Sequence, residues 1–219
     1  MSENDPQKFT QDVISWFNQA YYFHKDQTWF NTHWHGIPVH KTPTDLWVYQ
    51  EILHETRPTL IIETGTAKGG SALYLAQIAE QLTPARVISI DIHNERLRMV
   101  LPQHPAITYF SGSSTDAGIF AAVQSQRRAD DRVMVLLDSD HSEAHVRAEL
   151  ELYAPLVSSG CYLIVEDTNV NGHPVYPRHG PGPFEAVCDF RPAHPEFEVD
   201  RMREKFMLTF NPNGYLRRK

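Results

Sequence analysis

Short apolar segments alternate with amphipathic segments from residue 59 onward. Five apolar segments are rich in β-branched and aromatic residues and predict strands: TLIIE (59–63), RVISID (86–91), AITYF (106–110), RVMVLLD (132–138) and CYLIVED (161–167). The amphipathic segments predict helices at 71–82, 117–126 and 142–153, the last with Ser142 as its N-cap. This alternation is typical of a Rossmann-like α/β fold, a doubly wound and mostly parallel sheet with helices on both faces.

Two further β-type segments, FEVD (197–200) and KFMLTF (205–210), lie near the C-terminus. The few polar residues between them are too short a connection for a helical crossover, so they predict an antiparallel hairpin at the end of the sheet. The residues before 56 follow a different pattern, which is aromatic and partly helical. We expect residues 1–55 to form a helical cap over the carboxyl edge of the sheet and residues 56–219 to form the main domain.

The same N-terminal segment predicts self-association. Five aromatic residues lie close together in it: Trp16, Phe17, Tyr21, Tyr22 and Phe23. A simple cap does not need so many, and aromatic side chains are enriched at protein interfaces. We therefore expect a homo-oligomer.

Composition narrows the class of protein. The chain has 219 residues, 41% hydrophobic residues and a net charge of −7, which argues against a broad nucleic-acid-binding face. Apolar runs long enough to span a bilayer are absent from the sequence, and the N-terminus has no apolar signal core. Cys161 and Cys188 are too few for a disulfide framework. These features predict a soluble cytoplasmic protein.

The loop ETGTAKGG (63–70) follows the first predicted strand. It matches neither a Walker loop nor a strict G-x-G-x-x-G pattern, although Gly65 and Gly69 permit close backbone approach to a ligand. Glu63 would repel a pyrophosphate but suits a cationic amine. Asp91, at the next strand end, suits a ribose diol, and GSST (112–115) could hold a purine edge. An amine, a ribose and a purine together indicate S-adenosylmethionine (SAM); the alternative is a plain glycine turn.

Four carboxylates follow the fourth and fifth predicted strands: Asp138, Asp140, Glu166 and Asp167. Because neighbouring parallel strands end at the same edge, we expect these side chains to converge. Like charges at close range disfavour one another unless a cation neutralises them. Oxygen ligands suit a hard divalent ion, Mg²⁺ before Ca²⁺ or Mn²⁺. The alternative is that two of the four cap helices or face solvent.

The histidines beside this cluster offer a proton acceptor. His141 and His145 are four residues apart, but Glu143 lies between them in an H-x-E-x-H arrangement that differs from the zinc motif H-E-x-x-H. We expect Asp138 and His141 to be catalytic, with a histidine on the helix surface as the alternative. The Pro- and Gly-rich segment 169–183 is either a lid or a rigid surface loop.

The sequence also resembles a known family. The segments HGIPVHKTPTDLWVYQEILHETRPTLIIETGTAKGGSALYLA, VLLDSDHSEAHVRAELELYAPLVSSGCYLIVEDT and GPGPFEAV resemble the cephalosporin hydroxylase and rhamnosyl O-methyltransferase family, a branch of the class I SAM-dependent methyltransferases. The resemblance implies a methyltransferase domain at 56–219, a role in antibiotic or lipid biosynthesis, a homo-oligomer and bound Mg²⁺.

The resemblance also implies site residues. The predicted cofactor set is Glu63, Gly65, Thr66, Gly69, Ser71, Asp91, Ser113, Ser114, Thr115 and Asp138. Asp140, Glu166 and Asp167 match the family's metal triad by spacing, whereas comparison with catechol-type methyltransferases puts Asp138 in the first metal position. Asp138 and Asp140 therefore both remain candidate metal ligands.

The predicted reaction is Mg²⁺-dependent O-methylation of a hydroxyl on a small metabolite or sugar. The ion would hold two vicinal oxygens and lower the pKa of one hydroxyl. The alternative is a family member that does not methylate, such as an oxygenase auxiliary or hydroxylase component, or a SAM-binding cyclase. Hydroxylation normally needs iron, flavin or a 2-oxoacid partner. The 2-His-1-carboxylate motif that would bind such an iron is not evident in the sequence. A nicotinamide oxidoreductase is disfavoured by Glu63.

Overall fold

The computed structural model describes residues 6–92 and 100–219. In chain order its helices and strands are α1 (Pro6–Tyr22), β1 (His33–Trp34), β2 (Ile37–Pro38), α2 (Pro43–Thr56), β3 (Leu60–Thr64), α3 (Gly70–Leu82), β4 (Arg86–Asp91), β5 (Ile107–Ser111), α4 (Ala117–Ser125), β6 (Val133–Leu137), α5 (Glu143–Tyr153), β7 (Tyr162–Val165), α6 (Pro183–Phe190), β8 (Phe197–Val199) and β9 (Tyr215–Arg218). The three predicted helices are confirmed as α3, α4 and α5, and Ser142 is the N-cap of α5.

The central sheet has seven strands in the order β5-β4-β3-β6-β7-β9-β8. The five predicted strands are confirmed as β3 to β7, and they pair in parallel. The chain winds outward from β3 through β4 and β5, then returns to β6 on the other side of β3. Ligands of open parallel sheets bind beyond the carboxyl ends of the strands at such a reversal. A site is therefore expected at the tips of β3 and β6.

Helices cover both faces of the sheet because strand residues alternate between two cores. On one face, Ile62, Val135 and Leu163 pack with side chains of α4, α5 and α6. On the other, Ile61 and Met134 pack with side chains of α2 and α3. Burial of apolar surface on both sides explains the almost uninterrupted apolar sequence of these strands.

The C-terminal hairpin differs from its prediction in the second strand. β9 pairs antiparallel with β7 and with β8, so an antiparallel end of the sheet is confirmed. The prediction of a strand at 205–210 is wrong. Thr209 Oγ1 and the Phe210 backbone N–H instead donate to the buried carboxylate of Asp45, at 2.6 and 2.9 Å. A backbone group bonded to a side chain is not available to a sheet, so this segment packs beside α2.

The N-terminal segment reaches the carboxyl edge of the sheet. Asn18 on α1 donates from Nδ2 to the backbone oxygen of Met207 at 2.8 Å. Residues just after α1 line a cavity together with Gly65 at the tip of β3. The outer face of α1 exposes apolar side chains, namely Phe9, Val13, Trp16 and Phe17. None of the helices described in 6–92 and 100–219 combines the length and apolar character needed to cross a membrane.

Candidate active site

Two adjoining cavities open at the carboxyl edge of the sheet. The smaller cavity, of about 270 Å³, lies at the tips of β4 and β5. The larger cavity, of about 650 Å³, lies between the N-terminal segment and the residues that follow β6 and β7. Gly65, Ala67, Asp138 and Ser139 line both cavities. Ligands that filled the two cavities would therefore meet at the tips of β3 and β6.

The glycines of the loop between β3 and α3 permit close packing around it. Gly65 has φ +86°, and a Cβ there would lie 1.8 Å from the carbonyl oxygen of Asp138. A Cβ on Gly70 would lie 2.2 Å from the carbonyl oxygen of Pro38. A larger residue would displace the tip of β6 in the first case and β2 in the second. The loop thus holds both the neighbouring strand and the N-terminal segment in place.

Glu63 is fully buried behind this loop. Ser89 Oγ donates to Glu63 Oε2 at 2.6 Å and lies 2.7 Å from Thr66 Oγ1, while Glu63 Oε1 has no hydrogen-bond partner among the described residues. Burial raises the pKa of Glu63 to about 7. Glu63 does not line either cavity. Its carboxyl group therefore supports the loop from below.

The smaller cavity contains much of the predicted cofactor set. Gly65, Asp91, Ser113, Ser114 and Asp138 line it. Asp91 Oδ2 accepts a hydrogen bond from the backbone N–H of Ala67 at 2.9 Å, which ties the tip of β4 to the loop after β3. Of the other predicted residues, Ser71 lines the larger cavity, and those that line neither are Glu63, Thr66, Gly69 and Thr115.

Three of the side chains at the strand ends come together. Ligand-type atoms of Asp138, His141 and Asp167 lie within 4.8 Å of one another. His141 Nε2 is 3.2 Å from Asp167 Oδ2 and 3.4 Å from Asp138 Oδ1, but neither contact has hydrogen-bond geometry. Burial opposes the charged imidazole, yet the nearby carboxylates of Asp167 and Asp138 raise the pKa of His141 to about 9. Sequence reasoning placed both His141 and these aspartates at the site.

Lys41 was not predicted from the sequence. Its buried ammonium contacts Asp138 Oδ2 at 2.6 Å and Glu166 Oε2 at 2.5 Å. Burial opposes the charged form, but Asp138 and Glu166 outweigh it, so the pKa of Lys41 is raised. Burial likewise opposes ionisation of Asp138, but Lys41 and His141 hold the pKa of Asp138 below its usual value. Part of the expected neutralising charge therefore comes from the protein itself.

The remaining two predicted metal ligands are placed differently. Asp140 is exposed, and its Oδ1 accepts a hydrogen bond from the backbone N–H of Ser142 at 2.9 Å at the start of α5. Hydrogen bonds from Ser142 lower the pKa of Asp140. Glu166 is buried against Lys41, and its Oε1 has no hydrogen-bond partner among the described residues. Burial and the charge of Asp138 raise the pKa of Glu166 well above its usual value.

These side chains fit a hard divalent ion. Carboxylate oxygens are the ligands such ions take, and Asp138 and Asp167 offer theirs at the mouth of the larger cavity. The buried and unpartnered oxygen of Glu166 is a polar atom that lacks compensation in the described structure. A bound cation would offset the charge of the two aspartates and would compensate the unpartnered oxygen of Glu166.

The larger cavity has an aromatic wall from two segments. Tyr22, Phe23, Trp29 and Phe30 come from the N-terminal segment, and Tyr176 comes from the loop after β7. Phe23 and Tyr176 stack with ring centroids 6.2 Å apart and an interplanar angle of 21°, and both are about half exposed. The loop 169–183 thus touches the N-terminal segment over the cavity.

The two histidines of the loop 169–183 have different surroundings. His179 lines the larger cavity together with His40. His173 instead stacks on Phe184 at 3.7 Å, and its Nε2 lies 2.9 Å from Glu185 Oε1. His173 thus supports the start of α6, whereas His179 can reach a ligand in the cavity.

Solved structures show which fold the chain has. A CmcI structure named as its Mg-SAM form has a TM-score of 0.67 with 22% identity, covering 87% of this chain and 77% of that chain. An O-methyltransferase from Bacillus cereus in complex with SAH has a TM-score of 0.57 with 14% identity, covering 90% and 84%. The fold is that of the class I SAM-dependent methyltransferases, as the sequence predicts.

Sequence comparisons then identify the family. The model of the family Rhamnosyl O-methyltransferase/CmcI matches residues 26–219. The rhamnosyl O-methyltransferase of Mycobacterium bovis is 42% identical over 201 residues, covering 89% of this chain and 81% of that protein. The protein of the same name from Mycobacterium leprae is 41% identical over 216 residues, covering 96% and 92%. The chain belongs to the rhamnosyl O-methyltransferase/CmcI family and is a SAM-dependent methyltransferase, which confirms the resemblance.

Proposed function

We propose that this chain is a Mg²⁺-dependent O-methyltransferase that methylates a hydroxyl of a small metabolite or sugar, in natural-product or glycolipid biosynthesis. The observation that carries the proposal is the position of Asp138, which lines both cavities and belongs to the cluster of ligand-type side chains. Relatives named for rhamnosyl O-methylation support a sugar acceptor. The CmcI structure named with Mg and SAM supports the choice of ion.

The smaller cavity is the proposed cofactor site. SAM supplies a methyl group carried on a sulfonium. Asp91 at the tip of β4 would accept hydrogen bonds from the ribose hydroxyls, and Ser113 and Ser114 would contact the purine edge. Gly65, where the cavities join, lets the backbone approach the ligand closely.

Asp138 and Asp167 are the proposed ligands of the ion, with Glu166 beside them. When bound, Mg²⁺ would supply Lewis acidity that lowers the pKa of the acceptor hydroxyl and orients it. Asp138 fits this role better than Asp140, because Asp140 is exposed and bonded to Ser142. Asp140 would instead stabilise the start of α5.

His141 is the proposed proton acceptor. Its imidazole lines the larger cavity, and its buried Nε2 lies between the carboxylates of Asp138 and Asp167. Without an ion, those carboxylates keep the imidazole protonated, with the pKa of His141 raised to about 9. A divalent cation on the same carboxylates would offset their charge and lower that pKa, so that the neutral imidazole would take a proton from the acceptor hydroxyl. Direct contact between the two cavities would place the deprotonated oxygen against the methyl donor.

The aromatic wall is the proposed acceptor-binding surface. Faces of Tyr22, Trp29 and Tyr176 can cover the C–H face of a sugar ring, while the acidic end receives its hydroxyls. The chain's net charge of −7 favours a neutral acceptor over an anionic one.

Residues 1–55 are proposed as a cap and oligomerisation segment on the 56–219 methyltransferase domain. Phe9, Val13, Trp16 and Phe17 recur at helical spacing on the exposed face of α1. A second copy of this chain would cover that face in a homo-oligomer. We propose the cytoplasm as the location of the protein, because two cysteines are too few for the disulfide framework of a small secreted protein.

Mass spectrometry of reaction products tests the proposed reaction. The purified protein, SAM and Mg²⁺ are incubated with rhamnosylated acceptors that carry free hydroxyls, beside deoxy analogues that lack one hydroxyl each. The proposal expects a single added methyl on an oxygen of the sugar and loss of the product with one deoxy analogue. Methyl transfer to nitrogen, carbon or sulfur of the acceptors would contradict it.

A further inference from the structure

A buried lysine lies inside the acidic cluster and has no part in the mechanism above. The Lys41 side chain is 3% exposed, and its Nζ contacts Asp138 Oδ2 at 2.6 Å and Glu166 Oε2 at 2.5 Å. These carboxylates follow two different strands, β6 and β7. Lysine is almost never fully buried unless it is paired, so its position depends on both carboxylates.

The backbone around Lys41 is held firmly. His40 has φ +60°, a left-handed conformation that is uncommon for a residue with a Cβ. Thr42 is the N-cap of α2, and its Oγ1 accepts a hydrogen bond from the Asp45 backbone N–H at 3.0 Å. A turn before Lys41 and a helix cap after it therefore fix the direction of the lysine side chain.

The ammonium engages one side of the cluster and leaves the other side for a second cation. Lys41 Nζ donates hydrogen bonds to Oδ2 of Asp138 and Oε2 of Glu166. The other oxygen of Asp138, Oδ1, lies 3.4 Å from His141 Nε2, on the side where Asp138 and Asp167 form the proposed ion site. With all three carboxylates ionised and His141 neutral, as a bound cation would favour, the ammonium offsets one of the three negative charges and leaves two. One divalent ion neutralises that charge.

We propose that Lys41 is a positioning residue whose ammonium fills one of two cation positions in the cluster, so that the site takes one divalent ion and binds it less tightly than the carboxylates alone would. This inference rests on the metal site of the proposed function. The ammonium would oppose the ion electrostatically, while its contact with Asp138 Oδ2 fixes the carboxylate with Oδ1 toward His141.

Calorimetric titration of metal-free protein with Mn²⁺ at fixed pH tests the inference, because it measures affinity and stoichiometry without turnover. Lys41→Met removes the charge but keeps most of the length, and we expect about tenfold tighter binding or more. Lys41→Arg keeps the charge and should stay within about threefold of the wild type. Lys205→Met, at an exposed lysine paired with Glu51, is the matched control and should change nothing.

A second background keeps the test decisive if Lys41→Met does not fold. Glu166→Gln combined with Lys41→Met should bind Mn²⁺ about tenfold more tightly than Glu166→Gln alone. Unchanged or weaker binding after loss of Lys41, or a gain of equal size in Lys41→Arg, would overturn the inference. A wild-type protein that binds no divalent ion would overturn the proposed metal site, and the inference with it.

Discussion

Lys41 marks the limit of what residue types alone can predict. The sequence places carboxylates at strand ends, and parallel topology brings them together, so the acidic cluster could be predicted. Lys41 meets Asp138 and Glu166 across 97 and 125 residues of chain. That contact depends on how the N-terminal segment folds back over the sheet. Neither the residue spacing nor the periodicity of the segment HKTPTD (40–45) predicts this contact.

At the residue scale, the buried carboxyl group of Glu63 predicts that the free energy of unfolding depends on pH. Burial raises the pKa of Glu63 from 4.5 to about 7. An acid whose pKa is higher in the folded state binds a proton more tightly there, so stability falls as pH rises from about 4.5 to about 7. Glu63→Gln does not titrate and should gain about 3 kcal/mol relative to wild type across that interval.

Urea unfolding of both proteins at several pH values measures this difference. Gln can still accept a hydrogen bond from Ser89, which makes it a close match in shape. A difference in free energy of unfolding that stays constant with pH would mean that Glu63 titrates normally in the folded protein.

Asp91 gives a prediction about the cofactor. Asp91→Ala removes the carboxylate that we place against the ribose hydroxyls, so SAM should bind about tenfold to a hundredfold more weakly. Asp130→Ala, at an exposed aspartate that lines neither cavity, is the control. Calorimetry with SAM measures both variants. Equal affinity of Asp91→Ala and wild type would remove Asp91 from the cofactor site.

At the scale of elements, the pattern predicted the parallel strands well and the C-terminal hairpin only in part. β3, β6 and β7 are buried throughout and β4 over most of its length, so their apolar runs are unambiguous, whereas the edge strand β5 is only partly buried. The segment 205–210 is also apolar, but its backbone bonds to Asp45 on α2. The choice between a strand and a packed loop was decided by a tertiary contact, which a local pattern does not contain.

The contact between the loop 169–183 and the N-terminal segment gives a prediction at this scale. Phe23 and Tyr176 stack over the larger cavity. Replacing both with Ala should raise the KM for the acceptor roughly three- to tenfold, because about 0.5–1.5 kcal/mol is lost with an aromatic pair. SAM affinity should not change, since neither residue lines the smaller cavity. Steady-state kinetics and calorimetry separate the two effects.

Phe206→Ala is the matched control, because Phe206 is also an exposed phenylalanine but lines neither cavity. An unchanged KM in the Phe23 and Tyr176 double variant would show that the pair does not contact the acceptor. Weaker SAM binding in that variant would show that the two cavities are not separate sites.

At the scale of the whole molecule, the exposed face of α1 predicts an assembly. Trp16→Lys with Phe17→Lys adds charge to that face and should shift the protein to a smaller species in light scattering. Gln7→Lys with Gln11→Lys adds the same charge at exposed positions of α1 outside that apolar set and should not. A wild type that is monomeric at micromolar concentration would contradict the assembly.

The central claim is that methyl transfer depends on a divalent ion held where the cofactor and acceptor cavities meet. Methyl transfer from SAM to an accepted sugar, measured in chelator and after addition of Mg²⁺, tests it most directly. Activity should disappear in chelator and return when Mg²⁺ is added. Asp167→Ala should lose that activity while it still binds SAM like the wild type. Full activity in excess chelator, from protein purified without bound metal, would contradict it.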